Sequence, residues 1–457
     1  MIDAFKAAYT ETGVARFRGN PFIEALPPLE QKKDDFLTLL EHKPAIPTTE
    51  DRKGSEMARI MSLSVIGDVV HPFPEYQKAA IALSTMIREA YVSRNPLSVE
   101  DVQRRRAIAS LEKDVPFPSD WKSSAKGHLF MAISGMGKTT FARAFLLRYP
   151  KVIEHVEYNG QPLRCMQIPY LMLRVPHDGT LGSLCMQFFE KVDFLLNTTY
   201  MQQARKLRTI ASLVQLMHRV ATAVSVGLIV FDEVQNLSNA QSEKAELMLN
   251  FFSDVVERLG ISIVVIATPA VQSIFEKSVR NTRKLTSYGE TILTPMLKGD
   301  LQWNQFCEIY WKYMYVKKKG KLTEEICDKW HDLSGGNTAF AALLFTLTQR
   351  NEIGGSEVVS VTTMERTAAK DMAFLQPAIA AMRSRDPNRL REFDDLLMGP
   401  RYIALRKLMG ADDTISLGHE LPDLEQVVAE TKSRAVRARL QSEQFDDFLP
   451  VEDPLDR

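Results

Sequence analysis

The chain has 457 residues, 45% of them hydrophobic and 25% charged, a composition close to that of an average soluble globular protein of two or three domains. Lys plus Arg equals Asp plus Glu, 57 against 57, which excludes recognition of nucleic acid through bulk basicity and leaves only local patches for that role. The four cysteines, Cys165, Cys185, Cys307 and Cys327, are scattered without a C-x-x-C pair, which argues against a disulfide framework or a zinc site and for ordinary buried thiols.

The opening MIDAFKAAYTETG carries acids and lacks the apolar run of a signal peptide, and no stretch approaches the roughly 20 apolar residues that span a bilayer. The expectation is a soluble, cytoplasmic protein with no membrane partner. Residues 1–105 carry prolines at 21, 27, 28, 44, 47, 72, 74 and 96 between short helical stretches such as Tyr76 to Tyr91. Proline interrupts ladders and helices, so this segment reads as an extended, short-helical arm or small domain that docks on a surface through Phe22, Ile23, Leu26, Phe73 and Tyr76.

From about residue 124 apolar runs alternate with amphipathic helices. GHLFMAISG reads as a strand and glycine loop, TTFARAFLLRYP as a helix ended by Pro150, and LRCMQIPYLML as a second strand. LGSLCMQFFEKVDFLL is a helix, VGLIVFDE a buried strand, AELMLNFFSDVVERLG a helix closed by Gly260, and ISIVVIATP another buried strand. Near-continuous apolar strands separated by helices predict a parallel sheet flanked by helices, an α/β core over residues 106–300. Strands then vanish, which predicts a helical lid over 301–375 and a helical extension with a flexible acidic tail over 376–457.

SGMGKTT, Ser134 to Thr140, follows a strand and opens a helix, the setting of a phosphate-binding loop. Gly135 and Gly137 let backbone N–H groups, Met136 included, turn inward, and the helix N-terminus adds its unpaired N–H groups. Lys138 would reach the β- and γ-phosphates, Thr139 would ligate Mg²⁺ and Thr140 would sit near the α-phosphate. The pattern G-x-x-x-x-G-K-[ST] departs at its first position, where this chain has Ala132. LIVFDE places Asp232 to hold the Mg²⁺ shell and Glu233 to orient the attacking water. The doublet leans towards the AAA+ ATPases. Thr268, ending the next strand, stands where such proteins keep a sensor of the γ-phosphate. Arg280 and Arg283 are both candidates for an arginine completing a neighbour's site, and LSGGNTAFAALLF lacks the arginine that many lids use as a second sensor.

TGVARFRGNPFIEALPPL (Thr12 to Leu29) and IREAYVSRNP (Ile87 to Pro96) resemble the TnsC/TniB family, AAA+ regulators of Tn-seven-like transposons. The resemblance runs on through SGMGKTT, HDGTLGSLCMQFF, LIVFDEVQNLS, MLNFF and ATPAVQSIFE, and fades after FLQPAIAAMRSRDPNRLREFDDL. Asn236 stands where the family often has histidine. The resemblance implies ATP-dependent assembly of a homo-oligomer, ring or filament, on double-stranded DNA. It also implies partners: a TnsD/TniQ-type target selector, or a CRISPR effector acting through one, and the TnsA/TnsB transposase. By analogy the N-terminal arm would meet the selector and residues beyond about 400 the transposase.

Candidate DNA contacts are Arg104, Arg105 and Arg106, then Lys206 and Arg208, then Lys317, Lys318, Lys319 and Lys321. The aromatics of YWKYMY, 310–315, suit lid core better. Two other readings stay open on the residues alone: a nucleotide-gated signalling switch or scaffold without DNA, and a remodelling motor. ATP is preferred to GTP by the resemblance only.

Overall fold

Five short apolar segments pair side by side into one parallel sheet. In spatial order they are β5 (Tyr170–Arg174), β6 (Leu228–Asp232), β7 (Ser262–Ala267), β2 (Gly127–Ala132) and β8 (Glu290–Leu293). β2, β6 and β7 are buried along their whole length, as strands covered on both faces must be. A smaller sheet pairs β1 (Phe5–Lys6) parallel to β3 (Ile153–Tyr158), and β3 antiparallel to β4 (Gln161–Gln167). The computed structural model describes residues 4–110, 117–275 and 278–384. They belong to the unit Met1–Pro400; the unit Arg401–Arg457, with the expected acidic tail and transposase-contacting segment, lies outside the described residues.

The stretch LRCMQIPYLML does not form one strand. Ile168 and Pro169 break it, so that β4 joins the small sheet while β5 edges the large one. Proline has no N–H to give a ladder, and the chain changes sheets at that point.

The N-terminal region packs onto the large sheet, with the expected anchors Phe22, Ile23, Leu26, Phe73 and Tyr76 all buried. Its helix Pro74–Val92 begins with proline in the first turn, where the missing N–H is harmless, and packs against β2, β6, β7 and β8. Ala79, Ala80, Leu83, Met86, Ile87, Ala90 and Tyr91 form its buried face, and the small alanines let the helix approach the sheet closely. The two segments that carry the family resemblance interlock on this helix. Asn20 Nδ2 donates to Tyr91 O (2.6 Å), and Arg88 donates to Pro27 O (2.6 Å). Tyr91 Oη donates to Ser225 O (2.8 Å) and Arg94 to Val226 O (2.7 Å), tying the helix to the loop that enters β6.

The basic triplet also differs from expectation. Arg104 is buried and, with half-buried Arg105, grips the fully buried Asp101 at 2.8 and 2.5 Å; only Arg106 of the three is exposed. A buried carboxylate needs such partners, which removes Arg104 from any surface role.

The lid contains helices Leu301–Tyr310, Glu324–Ser334, Thr338–Glu352 and Val361–Asp371. Trp303, Trp330 and Phe345 fill it, and Tyr310, Trp311, Tyr313 and Tyr315 are buried as lid core. Cys185, Cys307 and Cys327 are buried free thiols and Cys165 is half-buried.

One buried ion pair fastens the N-terminal region to the lid. Arg59 donates to both oxygens of Glu357 at 2.7 Å and to Tyr315 O at 3.1 Å, with the guanidinium side chain 1% exposed. Glu357 also accepts from the N–H groups of Lys317 and Gly354. The Arg59 hydrogen bonds, chiefly, hold the Glu357 carboxyl down at about 2. Arg59→Met leaves a buried carboxylate unpaired and should lower unfolding free energy by about 3–5 kcal/mol in urea titrations at neutral pH. A depressed carboxyl contributes stability above its unfolded value of about 4.3 and loses it as the pH falls toward 2. The gap between wild type and Arg59→Met should therefore narrow across that window.

Candidate functional site

The carboxyl ends of β2, β6 and β7 lie side by side, the edge of a parallel sheet where ligands bind. β2 stops at Ala132, still extended strand, so the glycine of the usual pattern is not needed for backbone freedom there. The loop that follows needs it at Gly135 (φ +82°) and Gly137 (φ +80°), both left-handed. It also needs the space. A Cβ on Gly137 would stand 2.6 Å from Tyr76 Oη, and one on Gly135 would stand 2.6 Å from Asn337 Oδ1. Met136 is fully buried and pins the loop from below.

Helix Lys138–Leu146 starts directly after Gly137. Lys138 Nζ donates to Ala132 O (2.7 Å) and Ile133 O (3.0 Å), which keeps the ammonium at the mouth of the loop. Thr139 Oγ1 donates to Asp232 Oδ2 at 3.0 Å, joining the first turn of this helix to the end of β6. Asp232 Oδ1 accepts from Glu233 N (2.9 Å). Glu233 itself is left-handed (φ +58°), a conformation that costs a non-glycine residue about 1–3 kcal/mol and that concentrates at functional sites.

Except for Met136, every predicted loop residue lines one cavity of about 370 Å³ together with Asp232, Glu233 and Thr268. Thr268 Oγ1 is buried there with no hydrogen-bond partner among the described residues. Thr139 and Asp232 form a pair of hard oxygens suited to Mg²⁺, which takes one or two protein ligands and fills its octahedron with water and phosphate. The glycine cradle, the Thr139–Asp232 pair and the Thr268 hydroxyl fit a magnesium–nucleoside triphosphate.

Sequence reasoning missed three contributors. Gln235 donates to Glu233 Oε2 and accepts from Thr268 N (3.2 Å), bridging the acid to β7. Arg174, exposed at the end of β5, stands 3.9 Å from Glu233 Oε1. Tyr76 Oη donates to Met136 O (3.2 Å) and Gly137 O (3.3 Å). None belongs to a recognisable local pattern.

A second cavity of about 750 Å³ opens off the same loop at Gly135, Gly137 and Thr140. Val70, Phe73 and Tyr76 form one wall, and Met296 with Tyr310 and Ala342 of the lid the other. Burial keeps His71, on its edge, below the usual imidazole value and neutral at pH 7. Arg280 and Arg283 stand on helix Val279–Leu285, exposed; neither lines either cavity, and neither forms an ion pair with a described residue.

Residues 122–275 match the family model of the AAA domain. The fold is the AAA-type P-loop fold, with its parallel sheet, covering helices and helical region after it, and it is a nucleotide-binding fold. The matched stretch holds the phosphate loop, Asp232, Glu233 and Thr268, and excludes the two N-terminal segments of the family resemblance. Solved structures similar at low identity include these two. A Walker-type ATPase of Pyrococcus abyssi is 15% identical over 73% of this chain and 90% of that one, with a TM-score of 0.38. The ORC2 protein of Aeropyrum pernix, solved as ADPNP–ADP complexes, is 12% identical over 74% and 86%, also with a TM-score of 0.38. No curated protein matches by sequence. No helix among the described residues is long and apolar enough to cross a membrane.

Gly135→Ala places a Cβ against Asn337 in a backbone region that alanine avoids. This variant should bind nucleotide roughly 5- to 30-fold more weakly than wild type in calorimetry, the range set by about 1–2 kcal/mol of left-handed strain.

Proposed function

We propose that this chain is a Mg²⁺-dependent ATPase that assembles as a homo-oligomer, ring or filament, on double-stranded DNA. In that assembly it regulates transposition, linking a TnsD/TniQ-type target selector to the TnsA/TnsB transposase. The observation that carries the ATPase reading is the Thr139–Asp232 hydrogen bond in one cavity with Lys138, Glu233 and the unpartnered Thr268 hydroxyl. In this reading Lys138 and the loop N–H groups hold the β- and γ-phosphates, and Thr139 and Asp232 hold Mg²⁺. The metal would supply charge neutralisation on the phosphate oxygens. Glu233 takes the proton of the attacking water, and the Thr268 hydroxyl donates to the γ-phosphate or that water.

Arg280 and Arg283 stand clear of their own site, which supports one of them serving a neighbouring subunit. The exposed cations Arg106, Lys206, Arg208, Lys317, Lys318, Lys319 and Lys321 remain for phosphate contacts, which an oligomer multiplies. The role in transposition rests on the resemblance of residues 12–29 and 87–96. A nucleotide-gated scaffold without DNA is the second reading, favoured by one observation: Arg104 and Arg105 are engaged with Asp101.

Glu233→Gln should bind ATP normally and hydrolyse it about 10²–10⁴ times more slowly, as measured by single-turnover phosphate release. Electron microscopy with double-stranded DNA and a non-hydrolysable ATP analogue should show rings or filaments that Lys138→Ala abolishes. A monomer that binds nucleotide but ignores DNA would select the scaffold. Arg280→Ala and Arg283→Ala assayed separately should identify the functional arginine by the larger loss of turnover, and mixing that variant with Glu233→Gln should restore part of the turnover, at sites where the arginine-less subunit supplies Glu233 and its neighbour supplies the arginine.

A further inference from the structure

The lid meets the phosphate loop without a cation. Asn337 Nδ2 donates to Ser134 O (2.8 Å), Thr338 Oγ1 donates to Gly135 O (2.7 Å), and Ala339 N donates to the same Gly135 O (3.1 Å). Asn337 is fully buried, and its Oδ1 caps helix Thr338–Glu352 by accepting from the N–H groups of Ala339 and Phe340. One side chain thus fixes the lid helix with its oxygen and the loop with its nitrogen.

A trans peptide is planar, with its C=O and N–H on opposite sides. The carbonyl of Ser134 shares a plane with the N–H of Gly135, and the carbonyl of Gly135 shares one with the N–H of Met136. Because the lid holds both carbonyls, both N–H groups face away from the lid donors. Neither N–H enters a backbone hydrogen bond among the described residues. Hydrogen bonds in such a chain polarise one another, so a phosphate accepting from these N–H groups strengthens the carbonyls as acceptors for the lid. The coupling works equally in reverse.

The same end of the helix is locked to the entrance of the lid. Met296 N donates to Gly336 O (3.0 Å), and a Cβ on Gly336 (φ +71°) would come within 2.1 Å of Met296 O. A shift of residues 336–339 therefore carries the segment leading into the lid with it.

We propose that Asn337 and Thr338 are positioning residues that orient the Gly135 and Met136 peptides toward the triphosphate and make lid placement depend on bound nucleotide, the task an arginine performs in other lids. This rests on the nucleotide-binding reading above and adds the means by which the lid responds.

The test uses the full chain and three variants: Thr338→Val, which removes only the hydroxyl donor, Thr338→Ser, which restores it, and Asn337→Ser, which keeps a capping oxygen but cannot reach Ser134. Readouts are ATP affinity by calorimetry, the nucleotide-free Tm, and ATP-induced protection of amides 338–352 from hydrogen exchange. Expected for Thr338→Val is about three- to tenfold weaker ATP binding, the range of one net hydrogen bond, with a small drop in nucleotide-free Tm from loss of the same bond and reduced ATP-induced protection. Thr338→Ser should recover both, and Asn337→Ser should lose at least as much affinity as Thr338→Val. ATP affinity and lid protection of Thr338→Val matching wild type, or a loss that serine does not restore, would overturn the inference while leaving the parent reading intact. A wild-type chain that binds no nucleotide would overturn both.

Discussion

Helix Pro74–Val92 is the part on which the rest of the molecule depends. One end places the Tyr76 hydroxyl under the phosphate loop, and the other ties Tyr91 and Arg94 to the carbonyls that lead into β6. Between them an alanine-rich face lies on the sheet. The two strands that supply the loop and the acid pair are thus registered against one rigid rod. A helix that touches both makes the Thr139–Asp232 distance a property of the core and not of a surface loop. The aromatic stack of Tyr76, Phe130 and Phe141 continues that rod into β2 and the helix after the loop.

Much of the site was legible in the sequence because its chemistry is local. Seven consecutive residues make the loop, two make the acid pair, and each follows an apolar strand whose end fixes its place. The grip on that loop was not legible. Asn337 and Thr338 reach it across 203 positions, and Tyr76 across 60, from a lid segment and a helix that are recognisable in the sequence but whose contact with the loop is not. In the N-terminal region the helix over Tyr76 to Tyr91 and its apolar anchors were legible, but not the sheet face that they cover. Its prolines do break regular structure, but the proline-free interval 75–95 forms a helix whose burial comes from tertiary packing. Likewise Ile168–Pro169 marks a change of sheet that apolar periodicity alone reads straight through.

Charge is distributed with the same economy. The chain has no net charge, yet several arginines are buried: Arg59 on Glu357, Arg104 on Asp101, and Arg94 on backbone carbonyls over the Tyr91 ring. These cations fasten segments distant in sequence to one another. Burial pulls Arg94 down to about 9, still charged at neutral pH, and the carbonyls it faces share that charge. A count of basic residues therefore overstates what the surface can offer to a polyanion. Runs of arginine and lysine differ here, since Lys317, Lys318, Lys319 and Lys321 are all exposed.

The neutral contacts between lid and loop carry a consequence for how the molecule responds to its medium. Attraction between an arginine and a phosphate weakens as ionic strength rises and the Debye length shrinks to about 8 Å at physiological salt. Amide and hydroxyl donors on backbone carbonyls are short-ranged dipolar contacts that mobile ions scarcely screen. The lid's hold on the loop is therefore the same in dilute buffer and in a crowded, salty cell. Sensitivity to salt is left to surfaces that carry whole charges, such as the exposed run Lys317, Lys318, Lys319 and Lys321.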